Sequence, residues 1–177
     1  MVNKKIRYFD LGNKFKETQK FFFKELSKAG QKGDFILGSK IKEFENKIRN
    51  FTKSKYVISC ANGSDAIELS LSLLDIKKDD EIITTSNTWI SVGNAILNLK
   101  AKPVFVDIDA SLNIDPDKIE KFITKKTKCI VVTHLNGSAC NMTKIQKIAN
   151  KYKTKLAEDS SQAIGSTYRK THVGNFG

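Results

Sequence analysis

The order of apolar runs and amphipathic stretches between residues 56 and 159 constrains the fold more than any other feature of this sequence. Five runs are predicted strands: YVISC, EIITT, PVFVDI, CIVVTHL and KLAED. Each of the first four is followed by a stretch with apolar residues at helical spacing. Strands that alternate with helices pair in parallel through right-handed crossovers. The sequence therefore predicts an α/β fold with a doubly wound, mostly parallel sheet.

Two further helices are predicted before this alternation begins. Residues 13–29 carry phenylalanine and leucine at helical spacing, with Gly30 as a candidate C-cap, and SKIKEFENKIRNF repeats the pattern. Within the alternating region, Asp115 is placed as an N-cap and Pro116 as the first helical residue after it. The chain therefore begins with a helical segment that leads into the predicted sheet.

Polar residues follow the predicted strands at the points where the strands end. They occupy residues 61–65, 86–89, 134–137 and 159–162. In open α/β sheets, ligands bind outside the carboxyl ends of the strands. We therefore expect these four segments to lie together at one edge of the sheet.

The loop CANGSDA has two interpretations. Gly63 lets the backbone approach a ligand closely, and the helix N-terminus with the hydroxyl of Ser64 is suited to a phosphate. Alternatively, the loop is a plain turn with Ser64 as the N-cap. It matches neither a Walker A loop nor GxGxxG. Trp89 likewise is either a core residue or a flat ring for stacking on a cofactor.

Asp159 ends the last predicted strand, where a carboxylate is a turn residue, a helix cap or a group facing a ligand. A carboxylate beside a heteroaromatic nitrogen favours the protonated form of that nitrogen. Pyridoxal 5'-phosphate (PLP) needs such a partner, because its protonated ring acts as an electron sink. A phosphate loop, a stacking aromatic and a strand-end aspartate together favour this cofactor.

Composition excludes several other classes of protein. The formal charge of +12 arises from dispersed lysines, without a nucleic-acid-binding motif, and therefore suits a basic surface or an anionic metabolite. No apolar run approaches the roughly 20 residues of a membrane span. Cys60, Cys129 and Cys140 lack metal-ligand spacing, as do His134 and His172, so no metal site is expected. Reduced thiols favour the cytoplasm, and His134 is expected to line a pocket or satisfy a backbone group.

Over essentially its whole length the chain resembles the N-terminal half of the DegT/DnrJ/EryC1/StrS family of PLP-dependent aminotransferases of nucleotide-linked sugars. The matching stretches are FILGSKIKEFE, CANGSDAIELSLSLLDIKKDDEIITTSNTWIS, AKPVFVDID, NIDPDKIEKFITKKTKCIVVTHLNGSACNM and AEDSSQAIGSTYRKTHVGNFG. The resemblance implies that Gly63 and Ser64 hold the cofactor phosphate, with Asp65 opening the helix behind them. It also implies that Trp89 stacks on the pyridine ring. Asp159 would then pair with the ring nitrogen, and Gln162 with the phenolic oxygen.

The resemblance further implies an aspartate-aminotransferase-like (fold type I) large domain, of which residues 1–177 are the N-terminal part and 1–55 a helical segment. The rest of that domain, the small C-terminal domain and the Schiff-base lysine lie beyond Gly177 in the family, and Lys170 does not match that lysine. Asn136 stands in HLNG where a tyrosine is frequent. The implied partners are a nucleotide-sugar substrate, an amino donor such as glutamate, and a second copy in a homodimer.

Two alternatives to an aminotransferase remain at this stage. One is a sugar dehydratase of the same family, in which a histidine replaces the lysine. The other is a non-catalytic or split subunit with the same fold, completed by a second polypeptide. The residue at the lysine position distinguishes the aminotransferase from the dehydratase.

Overall fold

Four parallel strands form the central sheet of this protein in a computed structural model that describes residues 8–177. They are β1 (Glu81–Thr85), β2 (Lys102–Val106), β3 (Thr127–Thr133) and β4 (Lys155–Asp159). Their order across the sheet is β2-β1-β3-β4, and every neighbouring pair is parallel. The predicted parallel α/β sheet is confirmed.

Residues 8–177 form six α-helices: α1 (Leu11–Lys32), α2 (Ser39–Thr52), α3 (Gly63–Ser72), α4 (Ile90–Asn98), α5 (Pro116–Ile119) and α6 (Met142–Tyr152). Alternate residues of each strand face opposite sides of the sheet, so two apolar clusters form. Ile82 and Val131 pack with residues of α3 and α4, whereas Ile83 and Val132 pack with residues of α5 and α6. Helices therefore cover both faces of the sheet.

The first predicted strand is wrong. Residues 56–60 form no strand within the described part of the chain, and Tyr56 and Ile58 are 75% and 86% exposed. Ser59 is held by Glu45 instead, with its N–H and its Oγ each 2.8 Å from Oε1 of that residue. An apolar run becomes a strand only when a neighbouring strand accepts its backbone hydrogen bonds, and among residues 8–177 this run has no such neighbour.

Two compact units divide the chain, Met1–Phe44 and Glu45–Gly177. In the first unit, Asp10 caps α1 by accepting a hydrogen bond from the N–H of Asn13. The prediction of Gly30 as the C-cap is wrong, because α1 continues through it to Lys32. Gly33 is the C-cap, with a φ of 64°, a backbone conformation that glycine adopts without strain.

In the second unit, the sequence predicted the start of α5 correctly but made this helix too long. Asp115 caps α5 by accepting from the N–H of Asp117, and Pro116 begins the helix, as predicted. The helix predicted over DPDKIEKFI is only four residues long, and a 3-10 turn over Glu120–Phe122 follows it. Two-residue strands β5 (Thr167–Tyr168) and β6 (Thr171–His172) form a hairpin. Across residues 8–177, every helix is too short or too polar to cross a membrane.

Candidate functional site

A cavity of about 300 Å³ opens at the carboxyl ends of the strands, as the sequence predicted for this edge. Five of the six predicted site residues line it: Gly63, Ser64, Trp89, Asp159 and Gln162. A larger cavity of about 460 Å³ is lined by residues of α3 and β4 and shares Gly63, Ile67, Asp159 and Ser161 with the smaller one. The polar groups suited to ligand binding converge on the smaller cavity.

The N-terminus of α3 forms one wall of this cavity. Asn62 is its N-cap, because the Oδ1 of Asn62 accepts a hydrogen bond of 3.0 Å from the N–H of Asp65. The alternative in which Ser64 is the N-cap is therefore wrong. The amides of Gly63 and Ser64 belong to the first turn, where N–H groups have no acceptor within the helix. Such amides can donate to an anion in the cavity.

Two serine hydroxyls meet beside these amides. The Oγ of Ser64 lies 2.6 Å from the Oγ of Ser91, which is in the first turn of α4 and is buried. Asp65, the sixth predicted residue, does not line the cavity, and its carboxylate accepts from the side-chain amide of Asn62 at 3.1 Å. Asp65 thus helps to cap α3, while Ser64 and Ser91, whose hydroxyls pair, both line the cavity.

Asp159 ends β4 and is 7% exposed. Its Oδ1 accepts two hydrogen bonds from Ser161, one from the N–H at 3.0 Å and one from the Oγ at 2.6 Å. These bonds fix the rotamer of Asp159 and leave Oδ2 to accept from a donor in the cavity. The hydrogen bonds to Ser161 show Asp159 as a turn residue, one of the three alternatives, and Asp159 also lines the cavity. A contact of its carboxylate with a ligand stays a prediction.

Trp89 occupies the residue before α4 and is 66% exposed. The alternative that it is a core residue is therefore wrong. Its ring lines the cavity together with the hydroxyl-bearing wall formed by Ser64 and Ser91. An exposed indole at this position offers a flat face for stacking on a planar ring.

Gln162 reaches the cavity from the loop after β4. Its Oε1 accepts a hydrogen bond of 3.0 Å from the backbone N–H of Asn136, which lies in a 3-10 turn over Leu135–Gly137. This hydrogen bond orients the amide oxygen toward Asn136, so the NH2 group is the end of Gln162 that can donate to a ligand.

His134 does not line the cavity. It is completely buried, its Nδ1 accepts from the N–H of Cys140 at 3.1 Å, and its Nε2 lies 2.9 Å from Oε2 of Glu158. Since Nδ1 accepts, Nε2 carries the hydrogen and donates a hydrogen bond to the carboxylate of Glu158. Of the two roles predicted for His134, the structure confirms the second: His134 accepts the hydrogen bond of a buried backbone N–H, that of Cys140.

Glu158 also binds the last residues of the chain. It accepts backbone hydrogen bonds from Gly174, Phe176 and Gly177 at 2.9, 2.6 and 2.8 Å. Burial by itself would raise the pKa of Glu158, but the hydrogen bonds from His134 and these three amides outweigh burial and lower it. Glu158 therefore acts as an internal anchor for residues 174–177.

Five residues that line the cavity were not named individually from the sequence: Ile67, Ser91, Thr133, Leu135 and Ser161. Leu135 and Ser161 lie in the segments 134–137 and 159–162 that the sequence placed at this edge, and Thr133 is the last residue of β3. Ser91 lies two residues beyond the segment 86–89. Within residues 8–177 neither this cavity nor its larger neighbour is lined by a lysine, and no cluster of potential metal ligands occurs.

Comparison with known proteins finds consistent similarity. The model of the DegT/DnrJ/EryC1/StrS aminotransferase family matches residues 16–177. The chain is 40% identical over 173 residues to dTDP-3-amino-3,6-dideoxy-alpha-D-galactopyranose transaminase of Aneurinibacillus thermoaerophilus, covering 97% of this chain and 48% of the relative. It is 37% identical to the pleiotropic regulatory protein of Geobacillus stearothermophilus, covering 95% of this chain and 45% of the relative.

Solved structures show the same fold. The structure of NtdA from Bacillus subtilis with bound cofactor PMP is 36% identical and has a TM-score of 0.83, covering 85% of this chain and 35% of NtdA. The chain thus has the fold of part of an aminotransferase, and it spans about half the length of the curated relatives it matches.

Proposed function

The chain belongs to the DegT/DnrJ/EryC1/StrS aminotransferase family, and we propose that it supplies the cofactor-binding part of a PLP-dependent enzyme that aminates a keto-sugar nucleotide. The observation that carries this proposal is the convergence of Gly63, Ser64, Trp89, Asp159 and Gln162 on one cavity. These residues are spread over almost 100 positions of sequence, and only the fold brings them together.

The donors and acceptors around the cavity fit a phosphorylated pyridine. The first-turn amides of α3 and the hydroxyls of Ser64 and Ser91 would hold the phosphate. A Cβ added to Gly63 would lie 3.3 Å from the Oγ of Ser161, so the loop already approaches the opposite wall closely. Trp89 would cover one face of the ring. The arrangement has an anion-binding end and a carboxylate, as this cofactor requires.

Each polar group would act on a different atom of the cofactor. When bound, PLP supplies a protonated pyridine ring that withdraws electrons from the reacting carbon. The free Oδ2 of Asp159 would accept the ring N–H, and the negative charge would favour the protonated nitrogen. The NH2 group of Gln162 would donate to the phenolic oxygen. Ser161 keeps Asp159 in the orientation that this contact needs.

The remaining parts of the enzyme are proposed from the family. Residues 1–177 would form the N-terminal part of the large domain, with 1–55 as its helical segment. The small domain and the lysine that binds the cofactor would both lie in the part of the family's length that this chain does not span. We propose a cytoplasmic homodimer with glutamate as amino donor. The net charge of +12 suits the diphosphate of a nucleotide-sugar substrate.

Pyridoxamine 5'-phosphate (PMP) tests the proposal, because this form of the cofactor binds without a lysine. Fluorescence titration should show saturable binding to the 177-residue chain, and Asp159→Asn should weaken it by tenfold or more through loss of a charge-assisted hydrogen bond. Asp115→Asn is a matched control, since asparagine also caps the helix and Asp115 lies away from the cavity. Equal affinity of the Asp159→Asn variant would contradict the proposal.

A further inference from the structure

We infer that Asn136 is the residue that positions Gln162: its left-handed backbone presents an N–H to Oε1 of Gln162, which turns the NH2 group toward the ligand. The inference rests on the proposed function, which uses Gln162 as a donor to the phenolic oxygen of the cofactor. It adds a second residue, outside that set of contacts, which decides whether Gln162 can serve as that donor.

The orientation of Gln162 follows from its one observed backbone partner. A primary amide has an accepting end and a donating end, and it can present either end when it rotates by half a turn. The N–H of Asn136 lies 3.0 Å from Oε1 of Gln162, so this contact is satisfied only when the oxygen faces Asn136. Rotation would place two donors against each other. Gln162 therefore presents its NH2 group to the cavity, and this donor favours a ligand with an accepting oxygen at that position.

The N–H of Asn136 has its direction because the residue is left-handed. Asn136 has a φ of 54° and a ψ of 24°, and the next residue, Gly137, has a φ of 82°. Asparagine tolerates this region better than most residues, whereas a β-branched side chain is strained there. The N–H of Gly137 donates to the carbonyl of His134 at 3.3 Å, so the N–H of Asn136 is the amide of this turn that donates to Gln162.

The turn is also held on both sides by a buried side chain. Asn113, which is 1% exposed, accepts the N–H of Leu135 at 3.0 Å and donates to the carbonyl of Ser138 at 3.0 Å. In addition, the hydroxyl of Ser166 donates to the carbonyl of Gly137 at 2.7 Å. These bonds fix the residues before and after Asn136, so its N–H direction is set before a ligand binds.

Four variants separate this role from a general loss of stability. Asn136→Val strains the left-handed backbone, and Asn136→Gly keeps it while removing the side chain. Lys153→Val is a matched strain control, because exposed Lys153 has a φ of 54° and a ψ of 32° at the end of α6. Gln162→Leu removes the acceptor. Each is titrated with PMP and with its analogue that lacks the phenolic oxygen.

We expect Asn136→Val to weaken PMP binding by roughly five- to tenfold, the size of one hydrogen bond, and to leave binding of the deoxy analogue unchanged. Lys153→Val should bind both ligands as the parent chain does, and Asn136→Gly, which keeps the left-handed backbone, should bind PMP more tightly than Asn136→Val does. Asn136→Val should add no further loss to Gln162→Leu, because the two residues act through one contact. Equal losses for both ligands, or additive losses, would overturn the inference.

Amide hydrogen exchange provides a test that needs no ligand. The N–H of Asn136 should exchange slowly in the parent chain and at least tenfold faster in Gln162→Leu, if Gln162 is its acceptor. Fast exchange in the parent chain would overturn the inference even where PMP binds. Failure of the parent chain to bind PMP would instead overturn the proposed function, and the exchange rates would still decide whether Asn136 holds Gln162.

Discussion

The Nε2 atom of His134 donates to Oε2 of Glu158 across 2.9 Å, and this contact lies on the opposite face of the sheet from Asp159. Leu156 packs into the cluster on the α6 side, and Ala157 packs into the cluster beneath α3 and α4. Because side chains alternate along a strand, Glu158 lies on the same face of the sheet as Leu156, and Asp159 lies on the same face as Ala157. Two adjacent carboxylates thus have separate tasks, one in the protein interior and one in the cavity.

Glu158→Gln should lower the free energy of unfolding at neutral pH by about 2–3 kcal/mol, because the buried acceptor of four hydrogen bonds loses its charge. The folded pKa of Glu158 lies below its ordinary value of 4.5. Its charge therefore stabilises the fold above about pH 4.5, and this contribution disappears as the pH falls through the folded pKa. Urea unfolding at a series of pH values should show the parent and variant converging in acid.

Glu120→Gln is the control for this prediction. Glu120 is a partly exposed glutamate that pairs with Lys151 at 3.0 Å, and such surface pairs contribute about 0–1 kcal/mol. A cost for Glu158→Gln no larger than that of the control, or a gap that does not narrow in acid, would contradict the role of Glu158 as a charged anchor.

Ser91→Ala should weaken binding of PMP by roughly fivefold, since it removes one hydroxyl from the proposed phosphate site. Binding of unphosphorylated pyridoxamine should not change. Ser72→Ala is a suitable control, because Ser72 is an exposed serine at the end of α3 that donates only to the carbonyl of Leu69. Parallel losses for the phosphorylated and unphosphorylated ligands would argue against phosphate binding at Ser91.

The three thiols should differ sharply in reactivity. Cys60 is exposed, whereas Cys129 and Cys140 are buried, and burial raises the pKa of each to about 12. The thiolate is the reactive form. Iodoacetamide at mildly alkaline pH should therefore give one adduct on the native chain, at Cys60, and three in urea. Native modification at Cys129 or Cys140, read by mass spectrometry, would mean that the described core opens readily.

Two leucines near the end of α3 should differ in how much their substitution changes the stability of the fold. Leu71 is completely buried, so Leu71→Ala should cost about 2–5 kcal/mol of unfolding free energy. Leu73, next to the end of α3, is 84% exposed, and Leu73→Lys should change that free energy by less than about 0.5 kcal/mol.

The exposed leucine and the edge of β4 also bear on self-association. Within the described sheet β4 pairs only with β3, and an unpaired strand edge and exposed apolar residues such as Leu73 each favour association of chains. Sedimentation should show concentration-dependent oligomers of the parent chain and weaker association of Leu73→Lys. A monomer at all concentrations would contradict this expectation.

Much of the fold was predictable because its signals are local. Four of the five predicted strands occur, since EIITT, PVFVDI, CIVVTHL and KLAED are apolar runs that find parallel neighbours. The prediction for YVISC failed because no neighbouring strand among residues 8–177 pairs with it. A strand is defined by its partner, and local sequence does not contain the partner.

The sequence by itself determined the parallel α/β architecture, the edge at which polar residues gather, and five residues that line one cavity there. Tertiary structure alone decided which hydrogen-bond partners the side chains around the cavity have. It chose Asn62 over Ser64 as the cap of α3, joined Ser64 to Ser91, and turned Gln162 through a contact with Asn136. It also separated Glu158 from Asp159, because the pleat of β4 and the packing of helices on each face assign adjacent residues to different surroundings.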